Sequence, residues 1–347
     1  MNPPADLSAA IAELLGRAGL AAPVKAVTPC TRGGNNRIFR VETADGVFAV
    51  KQYFRHEADT RDRLAAEYAF LNYASAAAPG AAPRPYACSP ELGMALFEFV
   101  DGRPFAPGEI GAAEVDAAID FFRALNAPSL RASAQLPVAS EACFSIADHL
   151  TLVRGRIDLL LEVEPQSEID REARSLFSRL DAFSQELSHG IRAAAGRAGL
   201  VVAAPLAPEQ RCISPSDFGF NNALATPGGG IRFLDFEYAG WDDPAKTAGD
   251  FFAQLAVPVP AQLFDRFVSQ IVREFPDPEA LAFRAALLRP AYRIKWCCIA
   301  LNVFLPVHLA RRKYANPGLD ETSLKRAQLA KARQILDSLE MASHGLH

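Results

Sequence analysis

Hydrophobic and polar positions in the first hundred residues follow two periods. Alternation with period two runs through residues 37–43 and 47–53, with a turn-forming Ala-Asp-Gly between them, and predicts a β-hairpin. The same alternation predicts a strand over residues 94–100. Between the strands, residues 57–76 carry apolar side chains at spacings of four and three, which is typical of a helix.

The rest of the chain is dominated by the helical period. The helical stretches are residues 112–126, 145–164, 168–195, 262–273, 278–305 and 321–340. One β-rich section over residues 211–236 interrupts them, and a capped helix begins near Asp6 or Ser8. These patterns predict an α+β fold with a β-rich N-terminal lobe over residues 1–100, a linker over 101–104 and a larger helical lobe over 105–347.

Charge is unevenly distributed along the chain. The 36 Lys and Arg and 40 Asp and Glu give a net charge of −4, which argues against a nucleic-acid partner and against electrostatic attachment to a membrane. Residues 281–347 nevertheless hold 11 basic and 4 acidic side chains. The C-terminal helices are therefore predicted to form a basic module on an acidic body.

Cysteine content and hydropathy favour a cytoplasmic protein. Six cysteines without a CxxC pair indicate a reducing compartment rather than a disulfide scaffold or a zinc site. The N-terminus has no apolar core of the kind found in signal peptides. The apolar run over residues 297–310 is too short and too interrupted to span a bilayer.

Motif searching narrows the chemistry. The chain contains no GxxxxGK[ST] loop, GxSxG elbow or HExxH helix, and no GxGxxG follows its first strand. Asp217 and Asn222 lie five residues apart in a loop, and Asp235 ends a hydrophobic strand thirteen residues later. An Asn and an Asp can hold Mg²⁺ beside nucleotide phosphates, which leaves Asp217 to accept the proton of an attacking hydroxyl.

This D-x-x-x-x-N, hairpin, D-F-E series resembles the catalytic and metal-binding loops of the aminoglycoside phosphotransferase/choline kinase family, which has a protein-kinase-like fold. The resemblance implies that Asp217 is the catalytic base and that Asn222 and Asp235 are the Mg²⁺ ligands. Asn222 on its own could equally cap a turn, as could its neighbour Asn221. The matching segment runs from about residue 26 to residue 255.

The N-terminal lobe carries the rest of this resemblance. Gly33, Gly34 and Asn36 fall in a segment similar to the family's nucleotide loop. Lys51, which read alone could be a snorkelling surface lysine, falls at the family's phosphate-binding lysine, and Glu67 at its ion-pair partner. Glu57 and Asp62 are alternative partners.

The resemblance also implies a hinge that holds adenine through its backbone. This hinge would include Glu98 and Val100 in the Leu-Phe-Glu-Phe-Val segment. The predicted cofactors are thus ATP and Mg²⁺, and the sequence leaves open whether GTP replaces ATP.

One position departs from the family pattern. Pro215-Ser216-Asp217 stands where the family usually has His-Gly-Asp. Because the family histidine is structural, Asp217 remains the predicted base. A catalytically degenerate nucleotide-binding protein of the same fold is the alternative.

The acceptor site is read from the residues that follow Asp235. Acidic and aromatic side chains cluster there, and F-E-Y-A-G-W resembles the choline and ethanolamine kinase branch; the members are Glu237, Tyr238, Trp241 and Asp242. An ordinary turn before Pro244 explains Asp242 equally well. Basic C-terminal residues such as Arg289 and Arg311, if they line the pocket rather than form a solvated face, favour a phosphorylated or carboxylated acceptor.

Together these features predict a kinase that transfers the ATP γ-phosphate to a hydroxyl of a small molecule. A sugar, amino sugar or sugar-derived alcohol is the first choice of acceptor and a choline-like amino alcohol the second. The oligomeric state stays open.

Overall fold

The computed structural model describes residues 5–30, 36–56, 59 and 61–344. Ten strands are described: β1 Ala26–Cys30, β2 Arg37–Glu42, β3 Val47–Gln52, β4 Pro85–Ser89, β5 Met94–Glu98, β6 Arg103–Pro104, β7 Cys212–Ser214, β8 Ala223–Ala225, β9 Ile231–Phe233 and β10 Gly240–Asp242. Eleven α-helices are described: α1 Ala5–Arg17, α2 Arg63–Ala77, α3 Ala112–Leu125, α4 Pro128–Ser133, α5 Ile146–Leu161, α6 Glu168–Arg197, α7 Pro244–Ala253, α8 Phe264–Ile271, α9 Pro278–Leu301, α10 Pro306–Ala315 and α11 Glu321–His344.

The small lobe is an antiparallel sheet of five strands in the order β1-β2-β3-β5-β4. Because side chains alternate across a strand, Val50 of β3 faces α1 and packs with Ile11 and Leu96 in one apolar cluster. Lys51, the next residue, therefore faces the opposite side, where Phe70 of α2 belongs to the main core. This alternation presents the lysine to the cleft between the lobes.

The large lobe is built around α9. This helix continues through Pro290 and packs against α5, α6, α7, α8 and α11. Two small sheets lie where the lobes meet: β7 pairs with β10, and β8 pairs with both β6 and β9. The fold is thus a small β-rich lobe and a mostly helical remainder, as the patterning predicts.

The predicted linker is also part of a sheet. Arg103 and Pro104 pair with β8, and a Cβ added at Gly102 would lie 2.8 Å from the carbonyl oxygen of Ala225. Because Gly102 has no side chain, the chain that leaves the small lobe can pass close to the backbone of Ala225. The lobe boundaries themselves stay predictions.

Several predicted element bounds were wrong. The second helix begins at Arg63 rather than at residue 57, because the Asp62 side chain accepts a hydrogen bond from the Ala65 amide and caps it. The strand predicted to reach residue 236 ends at Phe233, since Asp235 adopts a left-handed backbone with φ of 65°. Helix α7 was not predicted at all.

Within the described residues, no single helix is long and apolar enough to cross a membrane. One bent pair, Pro278–Phe304 with Pro306–Ala315, passes the same test of length and composition jointly, with a bend of 74°.

Candidate active site

Lys51 is the centre of a buried ion-pair cluster. Its Nζ lies 2.6 Å from Glu67 Oε2 and 2.5 Å from Asp235 Oδ1, and 3.8 Å from Glu237 Oε2. Burial by itself lowers the pKa of Lys51, but these carboxylates outweigh burial and raise it. One ammonium therefore joins the sheet, helix α2 and the segment after β9.

Glu67 is the carboxylate of α2 that reaches Lys51. It is 3% exposed, accepts a hydrogen bond of 2.6 Å from the Tyr53 hydroxyl, and accepts one of 3.2 Å from the Phe236 amide. Burial raises the pKa of Glu67, and Lys51 opposes that rise. Of the two alternatives, Asp62 caps the helix and Glu57 lies outside the described residues.

The three carboxylates around Lys51 provide oxygen ligands of the kind Mg²⁺ prefers. One oxygen from each of Glu67, Asp235 and Glu237 lies within 4.8 Å of the others, so three negative charges face one lysine. Glu67 and Glu237 are buried, whereas the Asp235 side chain is 33% exposed. Asp235 is therefore the carboxylate best placed to meet a ligand entering from solvent.

Asn222 stands across the hairpin from Asp235 with its amide orientation fixed. Its side-chain Nδ2 donates a hydrogen bond of 2.9 Å to the backbone carbonyl of Asp217. The backbone carbonyl of Asn222 accepts one of 2.7 Å from the Leu234 amide. With the nitrogen so engaged, Oδ1 is the side-chain atom that could ligate a metal. The Asn222–Asp235 pair thus fits a hard cation.

Asp217 is half-buried in the loop after β7. Its Oδ1 accepts a hydrogen bond of 2.9 Å from Gln254 Nε2 at the end of α7. Burial raises the pKa of Asp217 to about 6, the nearby Asp235 carboxylate adds to the rise, and the Gln254 hydrogen bond opposes it. A carboxylate with such a pKa can exchange a proton near neutral pH.

The Pro-Ser replacement before Asp217 keeps the loop in a glycine-like conformation. Ser216 has a φ of 66°, a left-handed value that favours glycine. Its amide donates a hydrogen bond of 3.0 Å to Ser214 Oγ, which also accepts one of 2.8 Å from the Thr247 hydroxyl. Helix α7 therefore holds this loop in place through the hydrogen bond from Thr247 to Ser214.

Lys246 of α7 is a second anchor that sequence reasoning missed. This lysine is 1% exposed; its Nζ lies 2.7 Å from Asp242 Oδ2, 3.6 Å from Asp250 Oδ2 and 3.5 Å from Ser216 Oγ. Burial lowers the pKa of Lys246, but Asp242 and Asp250 outweigh burial and raise it. No motif signals this lysine; the helix period places Asp250 on its face of α7, whereas Asp242 belongs to β10, before the helix begins.

The structure does not support Asp242 as a substrate contact. Asp242 is 0% exposed, and its Oδ1 accepts hydrogen bonds from the amides of Cys143 and Asp243. Trp241, its neighbour on β10, is half-buried and packs against the main core. Because every carboxylate oxygen of Asp242 is engaged inside the protein, this aspartate is structural.

Glu237 and Tyr238 lie on the small-lobe side of the cleft. Glu237 Oε2 accepts a hydrogen bond of 2.6 Å from Asn36 Nδ2, and Asn36 also accepts one of 3.0 Å from the Phe54 amide. Asn36 is thus engaged within the protein, which the nucleotide-loop pattern did not predict. The Tyr238 ring lies between guanidinium groups, 5.3 Å from that of Arg61 and 5.4 Å from that of Arg63.

Of the two predicted hinge residues, Glu98 is the last residue of β5 and Val100 lies two residues beyond it. The Glu98 carboxylate is bound by Arg232 at 2.7 Å and so does not face a ligand through its side chain. Val100 is half-buried, and its amide makes no backbone hydrogen bond with any residue that the structure describes. Gly33 and Gly34 lie outside the described residues.

This arrangement of lobes, with a lysine–glutamate pair above a loop aspartate, defines the protein-kinase-like fold. The phosphotransferase enzyme family matches residues 26–284, well over half of the chain, and the chain belongs to that family. A search of curated protein sequences found no match.

Several solved structures are similar in fold. Choline kinase from Cryptosporidium parvum is 15% identical, with 90% of each chain covered and a TM-score of 0.55. Choline kinase LicA from Streptococcus pneumoniae is 14% identical, with 96% of this chain and 100% of that chain covered and a TM-score of 0.56. Aminoglycoside phosphotransferase APH(2'')-Ib, solved with ADP bound, is 13% identical, with coverage of 96% and 97% and a TM-score of 0.57.

Proposed function

We propose that this protein is a small-molecule kinase that transfers the γ-phosphate of ATP to a hydroxyl group of a small metabolite. The observation that carries the proposal is the convergence of Lys51, Glu67 and Asp235 within hydrogen-bond distance. These residues are separated by up to 184 positions in the chain, and membership of the phosphotransferase family supports the same chemistry.

The residue roles follow from the contacts. Lys51, oriented by Glu67, would bind the α- and β-phosphates, the Gly33-Gly34 loop would cover them, and the Val100 amide would donate a hydrogen bond to the base. Asp235 and Asn222 would hold Mg²⁺, which when bound neutralises charge on the phosphates. GTP in place of ATP stays open.

Asp217 would position the acceptor hydroxyl and take its proton. Gln254 fixes one of its oxygens at 2.9 Å and leaves the other oxygen to accept from the substrate. Phosphoryl transfer requires little covalent chemistry from the protein, so positioning and charge neutralisation supply most of the rate.

A sugar or sugar-derived alcohol is the acceptor class we favour over a choline-like amine. Recognition of a quaternary ammonium needs exposed acidic or aromatic groups. Here Glu237 and Asp242 are buried, and Tyr238 already lies between two arginines. A cationic acceptor beside Tyr238 would therefore be repelled by the guanidinium groups of Arg61 and Arg63.

The test is calorimetric titration of Mg-ATP into wild type, Asp217→Asn and Asp235→Asn, with ADP formation measured over a panel of hydroxylated metabolites. We expect Asp235→Asn to lose at least tenfold in Mg-ATP affinity and Asp217→Asn to bind normally without turnover. Absence of nucleotide binding by wild type would refute the kinase proposal. Binding without turnover on any acceptor would favour the degenerate nucleotide-binding alternative.

A further inference from the structure

Three arginines converge on a single aspartate beside the candidate site. Arg61 Nε lies 2.6 Å from Asp59 Oδ1, Arg311 Nη2 lies 3.4 Å from Asp59 Oδ2, and Arg63 forms an ion pair with the same oxygen. Arg311 is contributed by α10, 252 positions away from Asp59. This group, Arg61, Arg63 and Arg311, is called the arginine cluster below.

The arginine cluster has more positive charge and more N–H donors than its partners satisfy. Arg63 is 3% and Arg311 is 4% exposed, yet Arg63 Nε and Nη1 and Arg311 Nε donate no hydrogen bond to the residues that the structure describes. Arg63 Nη1 lies 3.5 Å from Glu237 Oε1, while Lys51 and Asn36 contact the other oxygen of Glu237, so Arg63 Nε and Arg311 Nε are the donors left without a nearby acceptor among the described residues. Buried donors without acceptors are costly and rare in folded proteins, so their retention points to a ligand.

Two of the three arginines also border a cavity. Asp59, Arg61, His308 and Arg311 line one end of a cavity of about 880 Å³. The lining also holds Asp170 and Glu321, each 3.0 Å from Lys325, and Glu162 and Glu164, for which the described residues provide no ion pair. Surplus positive charge is therefore confined to the end lined by Arg61 and Arg311.

His308 lies among several arginines at the end of the cavity lined by Arg61 and Arg311. Burial lowers the pKa of His308 to about 4, and four arginines contribute in the same direction; they are Arg311, Arg156, Arg61 and Arg63. The guanidinium groups around His308 therefore make this end of the cavity a positively charged environment.

The arginine cluster adjoins the reacting centre. The guanidinium groups of Arg61 and Arg63 both lie within 5.4 Å of the Tyr238 ring. Tyr238 follows Asp235 by three residues, so the Cα atoms of Tyr238 and Asp235 are at most about 11 Å apart. Helix α10 also contacts the nucleotide lobe, because the Arg37 guanidinium lies 4.2 Å from the Tyr314 ring. Contacts also connect the arginine cluster to the candidate site: Arg63 Nη1 lies 3.5 Å from Glu237 Oε1, and Glu237 Oε2 lies 3.8 Å from Lys51 Nζ, which binds Asp235.

Building on the proposed kinase function, we infer that the acceptor carries a carboxylate or a phosphate group that Arg61 and Arg311 bind, while its hydroxyl meets Asp217. Arg61 has a side chain 35% exposed and lines the cavity; its Nε and Nη2 already bind Asp59 and its Nη1 lies 3.4 Å from Ser140 Oγ, so it would contribute positive charge and its remaining N–H groups rather than a free bidentate fork. Arg311, buried behind it, adds charge that solvent screens little. A sugar acid or a sugar phosphate fits this chemistry.

The first test is binding of inorganic phosphate, measured calorimetrically with the nucleotide site saturated by Mg²⁺ and a non-hydrolysable ATP analogue. Filling the γ-phosphate position excludes that site for the probe. We expect Arg61→Gln and Arg311→Gln each to weaken phosphate binding at least tenfold. Arg179→Gln, whose side chain is 41% exposed and pairs with Asp337 on the far helices, is the matched control and should bind as wild type does.

A second test compares gluconate with glucose, and glucose 6-phosphate with glucose, as competitors of phosphate and as acceptors. The anionic member of each pair should compete at least tenfold better, and only in proteins that retain Arg61. Phosphate binding that is absent from wild type, or equal in all variants, would overturn the inference while leaving nucleotide binding untouched. If the nucleotide analogue fails to bind, the kinase proposal fails, and phosphate titration without nucleotide still decides whether the arginine cluster binds anions.

Discussion

The Lys51 ammonium donates a hydrogen bond of 2.5 Å to the Asp235 carboxylate, which joins the sheet of the small lobe to the loop that leaves β9. The same nitrogen binds Glu67 at 2.6 Å, so the cluster contains one positive and several negative groups in a buried setting. Stability and ligand binding are therefore coupled at this lysine.

We predict that Lys51→Met lowers the free energy of unfolding by about 3–5 kcal/mol at pH 7, because it leaves buried carboxylates without their cation. The loss should shrink as the pH falls towards 5, since carboxylates whose folded-state pKa is raised bind protons and become neutral. Urea denaturation at pH 7 and pH 5 measures both effects. A loss that is the same at both pH values would contradict this account of the cluster.

Asp217→Asn is expected to abolish turnover and to stabilise the protein. The pKa of Asp217 is raised to about 6, so its ionised form opposes folding at neutral pH. Removing that charge should raise the free energy of unfolding at pH 7 by on the order of 1 kcal/mol, allowing for solvent at a half-buried side chain. The gain should vanish below about pH 4, where folded and unfolded states both hold the proton.

In the wild-type protein, the Asp217 carboxylate is expected to determine how turnover decreases at acidic pH. Turnover should fall as the pH drops through about 6, because a protonated Asp217 cannot accept the hydroxyl proton. Gln254→Leu removes the hydrogen bond that favours the ionised form, so this decrease should shift to higher pH. Identical pH–rate profiles for the two proteins would exclude Asp217 as the titrating group.

Lys51 and Glu67 were predicted from their places on an alternating strand and on the following helix together with the family resemblance. The resemblance also supplied Asp235, which lies beyond the end of β9. The arginine cluster could not be predicted from the sequence, because its members share neither an element nor a period. Arg61 lies in an irregular loop, and Arg311 meets Asp59 across 252 positions without any shared pattern.

The region around Asp242 was misread for a local reason. Asp242 was predicted to contact the substrate, with an ordinary turn before Pro244 as the alternative, whereas Asp243 accepts a hydrogen bond from the Ala245 amide and caps α7, with Pro244 at its first position. Once α7 is recognised, the helix period places Lys246 beside Asp250, and Asp242, the last residue of β10, lies 2.7 Å from the same ammonium. The buried charges are then structural supports rather than substrate contacts.

Lys246→Met should therefore destabilise the protein by about 3–5 kcal/mol, since two buried aspartates lose their cation. Lys313→Met is the matched control: Lys313 pairs with Glu321 at 2.8 Å, but its side chain is 51% exposed. Loss of that surface pair should cost less than about 1 kcal/mol. Guanidinium denaturation of the two variants measures the difference, and equal losses would show that Lys246 is not a buried anchor.

Ser216 allows a direct test of the loop conformation before Asp217. With φ of 66°, Ser216→Gly should keep the loop, retain turnover and change stability by less than about 1 kcal/mol, since glycine adopts this conformation freely. Ser216→Val places a β-branched side chain in the left-handed region and should cost about 1–3 kcal/mol. It should also reduce turnover more than Mg-ATP affinity, because Asp217 is displaced while Asp235 and Lys51 keep their contacts. If Ser216→Gly is inactive while Mg-ATP still binds, then the Ser216 hydroxyl, 3.5 Å from Lys246, positions the loop in place of the missing histidine.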